Sequence, residues 1–553
     1  MLPANNIARH LPLMAAQQPA RTAVKIPRGR TRGGDIDYLA LTFAELEAEA
    51  AAWQARLTAA GVRRGDRTLV MVRPGLPLIA AVFGLFALGA VPVIIDPGMG
   101  LKSFLACVAR SRPRALLGIP LAQLISRVAR RSFRGVDVRV MASRRLDARL
   151  TIGHPSSAVR HLAVAPTAAD DLAAILFTSG STGAPKGVCY EHGMFEAQVR
   201  LVRATYGIEP GEIDLPLLPV FALFNPALGM TTIVPEIDPS RPATVDPEKI
   251  VRAILQEQVT NSFGSPTLWR KIADYCLSRG VALPSLRRVL CAGAPVPASL
   301  WADAPRFLPH GLLHSPYGAT EALPVSSISS DQVDLASVRG ACVGRPVPEI
   351  GVKIIAISDQ PIATLAEARE LPPGDIGEII VSGPVVTKEY DALPAATALA
   401  KIKNPKSEIE NSPAVWHRLG DCGYLDTAGL LWFCGRKAER VETAGGPMFT
   451  EPCEQVFRRH PRAVRCALIG LGPHGQQRPA IVIEAKASDS AQARAWSREL
   501  RALALQHEHT ARINLFYFHP HFPVDVRHNA KIHRLALARW AVTAKGYESD
   551  PKR

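Results

Sequence analysis

The sequence predicts an α/β protein with a large unit of helix-packed, largely parallel β-sheets followed by a small α+β unit. Three observations carry that expectation. The chain has 553 residues, more than one hydrophobic core accommodates. Apolar strand-like runs alternate with segments of helical spacing from the first third onward. Between about residues 420 and 450 the character then changes to short, mixed elements.

The elements follow in order. Leu41 to Ala60 places apolar residues at helical spacing, and Gly61 ends the run. Thr68–Val72 reads as a short buried strand. The stretch from Leu76 to Ile95 is uncharged and long enough for a membrane span, but Pro77, Gly84, Gly89 and Pro92 interrupt it. It therefore reads as a buried helix, a turn and a buried strand ending at Asp96-Pro97-Gly98. Arg288–Cys291 and Val352–Ile357 repeat the strand pattern. Gly423–Leu425 turning into Leu430–Phe433 reads as a hairpin, and the boundary is expected at Arg436–Ala438. That division gives units 1–436 and 437–553, the second with strands at Cys466–Ile469, Ala480–Glu484 and Ile513–Phe518.

Composition narrows the function. A chain with 47% hydrophobic and 21% charged residues is globular rather than disordered. Nine cysteines, an odd number without a CxxC pair, argue against a disulfide framework or zinc site and for a reducing cytoplasm. The N-terminus has no sustained apolar region of a signal peptide. The formal charge of +16 comes largely from dispersed arginines such as Arg127, Arg130, Arg131, Arg134, Arg144 and Arg145. Without zinc-finger spacing, basic heptads or an aromatic-basic signature, it predicts a solvated basic surface and no nucleic-acid partner. Peripheral contact with anionic lipid, at the inner membrane, is compatible with it.

Two patterns are set aside. Gly470-Leu471-Gly472-Pro473-His474-Gly475 matches GxGxxG, but another strand follows where a dinucleotide site needs a helix. His507-Glu508-His509 and His519-Pro520-His521 lack the spacing of a zinc site.

The string Phe177-Thr178-Ser179-Gly180-Ser181-Thr182-Gly183-Ala184-Pro185-Lys186-Gly187 follows an apolar strand, Ala173–Phe177. Glycines let backbone amides approach an anion, hydroxyls add donors, and Lys186 adds positive charge, as a triphosphate requires. No Gly-Lys-Ser/Thr ends it, so it is not the Walker form. The string resembles the signature loop of the ANL superfamily of acyl-CoA synthetases, adenylation domains and luciferases. Other motifs appear in family order: Leu41–Leu46, Leu88–Val93, Tyr317-Gly318-Ala319-Thr320-Glu321, Gly420-Asp421 with Tyr424, Gly435-Arg436, and Asn529–Ile532.

That resemblance implies ATP-dependent activation of a carboxylic acid as an acyl-adenylate, with pyrophosphate released. The loop Thr178–Gly187 would cradle the phosphates, and Thr182 and Glu321 would hold Mg²⁺, a hard ion that prefers oxygen. Tyr317 would stack on adenine, with Gly293-Ala294-Pro295 and Gly318-Ala319-Thr320 lining the base pocket. Asp421 would bind the ribose beside Arg436, and Lys531 would reach the reacting carboxylate from the small unit.

Departures from the general pattern narrow the resemblance. Leu218–Gly229, with FALFNPALG in place of an aromatic-histidine-glycine pattern, is similar to the β-lactone synthetases of bacterial long-chain olefin biosynthesis. So are Asp238–Ala243 and Pro523–Asn529. Ala438 and Ala530 replace residues usual in two-step thioester-forming relatives, while Gly445-Gly446 keeps part of their loop. The subgroup implies a 2-alkyl-3-hydroxy fatty acid substrate, a place in an assembly with other olefin-forming enzymes, and closure of the lactone by the acid's own hydroxyl. Phe221, Leu223 and Phe224 are candidates for the wall of an alkyl pocket or for ordinary core. A fatty-acyl-CoA or fatty-acyl-AMP ligase is the alternative enzyme, and a basic lipid- or nucleic-acid-binding scaffold the non-catalytic one. His192, close to the phosphate loop in sequence, is expected to be structural.

Overall fold

The computed structural model describes residues 5–142, 161–178, 184–238, 244–405, 407, 414–463, 465–524 and 532–549. Ser179, Gly180, Ser181, Thr182, Gly183 and Lys531 lie outside the described residues, as do Arg144 and Arg145.

The expected helix after Leu41 spans Phe43–Ala59, with Leu41 and Thr42 closing the preceding strand Ile36–Thr42. Thr42 marks the change because its side chain accepts from the Glu45 amide while the Glu45 carboxylate accepts from the Thr42 amide. That reciprocal cap satisfies two amides otherwise left unpaired at a helix start. The uncharged stretch resolves into a helix, Leu76–Leu88, and a strand, Val91–Ile95, with Gly89 between them at φ 67°. Thirteen residues of helix reach only about 20 Å, short of the ~30 Å of a bilayer core. The helix is instead covered on all sides by protein, each buried Leu, Ile or Phe contributing roughly 1.5–3 kcal/mol. Among the described residues no helix is long and apolar enough to cross a membrane.

One sheet has six strands in the order Val138–Met141, Ala115–Gly118, Arg67–Met71, Val91–Ile95, Leu172–Thr178, Lys186–Glu191. The first five are parallel, and Lys186–Glu191 closes the edge antiparallel to Leu172–Thr178. A second, fourteen-stranded sheet has a parallel centre that includes Ile213–Pro216, Asn261–Gly264, Arg288–Cys291 and Leu312–Ala319. From Ala322 to Arg436 its strands pair antiparallel, a difference from the largely parallel expectation. The connections explain it. Only Thr320 and Glu321 join Leu312–Ala319 to Ala322–Ser329, whereas a parallel return needs about a dozen residues.

Beyond Arg436 the chain forms a short turn, Lys437–Glu439, a two-stranded ribbon and a four-stranded sheet. Gly470 and Leu471 end the strand Cys466–Leu471, and Gly472–Gly475 lies in its connection to the antiparallel strand Arg478–Glu484, so the motif opens no dinucleotide helix. Gly435 is needed where the two parts meet. A Cβ there would stand 2.1 Å from Oγ1 of Thr450, the first residue of the helix Thr450–Phe457. The Lys437 ammonium is anchored by Glu378 Oε1 at 3.0 Å and the Ser358 carbonyl at 2.8 Å. Glu378 is itself buried and gripped by both arms of Arg418. All nine cysteines are free, eight of them buried.

Candidate active site

Two polar clusters gather the expected site residues that lie among the described ones. The first gathers around Tyr390. Lys186 opens the edge strand, in register with Thr178, and its ammonium lies 4.7 Å from the centre of the Tyr390 ring. The Tyr390 hydroxyl donates to Oε1 of Glu321 at 2.7 Å. Thus the lysine of the glycine-rich string and the acid of the Tyr317–Glu321 motif share one neighbour.

The turn bearing Glu321 is held from several sides. The Tyr190 hydroxyl donates to the Thr320 carbonyl. The Thr387 amide and hydroxyl donate to the Glu321 carbonyl at 2.9 and 3.2 Å. Lys401 in turn donates to the Thr387 carbonyl and, at 3.2 Å, to its Oγ1. Burial lowers the Lys401 ammonium to about 7, against the opposing pull of Glu321. Burial and the Glu321 charge raise the Tyr390 phenol well above its ordinary value, so it stays a donor.

Glu321 fits a hard divalent ion. Its Oε2 has no protein donor among the described residues, and carboxylate oxygen is the ligand such ions prefer. Among the described residues no cluster of three His, Cys, Asp or Glu exists. Thr182, the other expected ligand, lies outside the described residues.

The second cluster joins three expected residues. Asp421 and Arg436 face each other across the hairpin of Val415–Leu425 and Leu431–Arg436. Arg436 Nη1 donates to Asp421 Oδ1 at 2.7 Å, and the Tyr317 hydroxyl donates to Oδ2 at 2.7 Å. The Asp421 charge raises the Arg436 pKa, while burial and the same charge push the Tyr317 phenol far up. Gly318 follows Tyr317 at a close approach, because a Cβ would lie 2.5 Å from the Ala322 carbonyl. Ala319 ends that strand, one residue before Thr320. Gly293-Ala294-Pro295 leaves the adjacent parallel strand Arg288–Cys291, with Gly293 at φ 98° and exposed.

The FALFNPALG segment supplies an aromatic wall. Phe221 stacks on Phe263 with centroids 3.7 Å apart and lies 6.4 Å from Phe224. Phe224 meets Phe195 edge-on at 6.5 Å, and Phe195 stacks on Tyr190 at 4.9 Å. The rings thus run from Phe263 to Tyr190, whose hydroxyl touches the residue before Glu321. Phe221, Leu223 and Phe224 are half-buried, and Leu223 packs on the core. Asn225 fixes the segment from below, donating at 2.9 Å to both Asp214 Oδ2 and Thr232 Oγ1 on adjacent strands.

His192 accepts from the Ile7 amide at 3.4 Å, and burial lowers its pKa to about 4, so it is a neutral structural group. The sequence reading missed Tyr390, Lys401, Tyr190, Phe195 and Phe263. Tyr390 and Tyr190 meet Glu321 and Thr320 from 69 and 130 residues away, and the buried Lys401 between apolar neighbours was the available signal.

Comparison with known proteins agrees with this geometry. Residues 13–391 match the family model described as AMP-binding enzyme. An olefin beta-lactone synthetase of Xanthomonas campestris pv. campestris is 44% identical over 97% of each chain. Another, of Stenotrophomonas maltophilia, is 42% identical over 97% of this chain and 98% of its own. A solved amide bond synthetase of Marinactinospora thermotolerans shares the fold, with a TM-score of 0.74 at 23% identity over 98% of this chain and all of that one. With its motifs in order and that match over most of its length, the chain belongs to the AMP-binding enzymes of the ANL superfamily.

Proposed function

We propose that this enzyme uses ATP to adenylate a 2-alkyl-3-hydroxy fatty acid and closes the product to a β-lactone, in long-chain olefin biosynthesis. The observation that carries the reading is the aromatic wall of the FALFNPALG segment ending beside Glu321, in a chain 44% identical to an olefin beta-lactone synthetase. An alkyl chain against that wall brings its carboxylate to the phosphate-binding end of the sheet.

In the first step a carboxylate oxygen attacks the α-phosphorus, and the bond to pyrophosphate breaks. Lys186 and the amides of the Thr178–Gly187 loop stabilise charge on the phosphates, and Lys531 meets the reacting groups. Mg²⁺, held by Glu321 with Thr182, would neutralise charge on the phosphoryl oxygens. Asp421, set by Tyr317 and Arg436, takes the ribose hydroxyls, and Tyr317 with Gly293-Ala294-Pro295 and Gly318-Ala319-Thr320 borders the adenine. In the second step the 3-hydroxyl oxygen attacks the activated carbonyl, loses its proton, and AMP leaves. Nucleophile and carbonyl belong to one molecule, so holding the chain supplies the proximity that a thiol-using relative gains by binding a second substrate.

We take Arg436–Ala438 as the boundary between units 1–436 and 437–553. The apolar substrate also favours peripheral membrane contact and transfer among the enzymes of one assembly.

The test is product analysis by NMR after incubation with ATP, Mg²⁺ and a synthetic 2-alkyl-3-hydroxy fatty acid, with and without CoA. A β-lactone and AMP formed without CoA is the expected result. An acyl-CoA formed only when CoA is present would replace lactone closure with thioester formation.

A further inference from the structure

The six-stranded sheet carries, at the edge away from Lys186, a helix whose exposed face is both apolar and basic. The helix Pro120–Val128 buries Ala122, Gln123 and Ser126. On its opposite face Leu121, Leu124 and Val128 are 60, 56 and 78% exposed. Spacings of three and four residues put these three in one stripe. Arginines flank the stripe and continue past it: Arg127, Arg130, Arg131, Arg134 and Arg139, with Asp137 the one acidic residue from 120 to 141. Arg127, Arg130, Arg134 and Arg139 rim an open cavity of about 500 Å³ over Phe133 and Val136.

Among the described residues none of the five guanidiniums has a carboxylate partner. Arg130 donates to the Arg127 carbonyl, and Arg139 to Ser126 Oγ and the Val136 carbonyl. A stripe of large apolar side chains costs free energy in water, and unpaired guanidiniums beside it favour an anionic counterpart. A bilayer of acidic phospholipids supplies both partners at one depth, acyl chains for the leucines and phosphates for the arginines.

We propose that Pro120–Val128 and the arginine-lined turn to Arg139 form a docking surface for an acidic phospholipid bilayer. The proposal rests on the long-chain acid assigned above, which partitions into such a bilayer. Placement supports it. Val138–Met141 and Lys186–Glu191 are the two edges of the six-stranded sheet, five strand spacings or about 24 Å apart. Docking at one edge leaves Lys186 at the other, open to water-soluble ATP.

The test is sedimentation of the full chain with phosphatidylcholine vesicles, with and without 30 mol% (about one lipid in three) phosphatidylglycerol. Binding is expected only with the acidic lipid and is expected to fall with added salt. Each of Arg127→Glu, Arg130→Glu and Arg134→Glu should weaken it about fivefold or more. The pair Leu124→Ser and Val128→Ser should weaken it even at low salt. Pyrophosphate release with a short, soluble hydroxy acid should stay unchanged in every variant, which separates this surface from the assigned reaction. Equal binding to neutral vesicles, or acidic-vesicle binding untouched by the arginine variants, would overturn the proposal. So would absence of vesicle binding with instead a salt-sensitive complex with an acidic protein.

Discussion

Tyr390 and Glu321 are 69 residues apart in sequence, yet the phenol of one donates to Oε1 of the other over 2.7 Å. The bond occupies one carboxylate oxygen and leaves the second without a protein donor among the described residues. Tyr390→Phe removes the donor and keeps the ring beneath Lys186. A hydrogen bond to a charged group contributes about 1.5–3 kcal/mol. Adenylation, followed by pyrophosphate release, should fall about tenfold or more and need higher Mg²⁺. Unchanged Mg²⁺ dependence would remove Glu321 from the metal site.

Lys401 acts on the same carboxylate through space, by charge attraction, while its hydrogen bonds to Thr387 support the Glu321 backbone carbonyl. Its pKa of about 7 lies below the ordinary lysine value, so it loses its charge as pH rises through neutrality. A neutral Lys401 no longer competes with a cation for Glu321. Apparent Mg²⁺ affinity should therefore rise about fivefold between pH 6 and pH 8 in the native enzyme. Lys401→Met should show the high-pH affinity at both values. A pH dependence that survives in Lys401→Met would assign it to another group, and a fall in melting temperature alone would mark Lys401 as structural.

The contrast between these residues and the glycine-rich string shows what sequence exposes. Phe177–Gly187 is legible because its chemistry is contiguous, and Asp421 with Arg436 because a short hairpin joins them. The helix–turn–strand reading of residues 76–95 succeeded for the same reason, since turn residues and apolar runs act locally. Tyr390, Lys401 and Phe263 become functional only through long-range packing that no local spacing records. The antiparallel half of the large sheet departs from the largely parallel expectation because strand direction follows connection length, here the two residues Thr320-Glu321.

Asp214 is buried with Asn225 as donor to its Oδ2, and burial raises its pKa to about 7. The folded state then binds a proton that the unfolded chain, with an ordinary carboxyl, has already lost. This contribution to stability is present below about pH 4 and lost as pH rises to about 7. Asp214→Asn keeps an acceptor for Asn225 and removes the titration. The variant should be more stable than the native chain at pH 8, by an amount on the order of 1 kcal/mol or more, with the difference shrinking toward pH 4. Urea midpoints at several pH values measure it, and a parallel shift at all pH values would contradict the assignment.

Lys531 is assigned from its motif. Lys531→Ala should lower acyl-adenylate formation by about a hundredfold or more while leaving ATP binding nearly intact. Isothermal titration with ATP and pyrophosphate release, measured on the same preparation, separate the two effects. Native turnover in the variant would place another cation at the reacting carboxylate.

Phe221 and Phe224 stand side by side but differ in support. Phe221 is stacked on Phe263 at 3.7 Å, whereas Phe224 has edge and offset contacts beyond 6 Å. Enlarging Phe221 would collide with Phe263 and reshape the fold locally. Phe224 packs against the core as well, but its ring contacts are looser than the stack of Phe221 on Phe263. Phe224→Trp should therefore shift turnover toward shorter 2-alkyl-3-hydroxy acids, each methylene displaced from the pocket altering binding by roughly 0.8 kcal/mol. Its KM for ATP should stay unchanged. Competition between acids of different length in one reaction, read by mass spectrometry of the lactones, gives the ratio directly. A uniform loss for all lengths with a lower melting temperature would return Phe224 to the core and leave the alkyl pocket to be sought elsewhere.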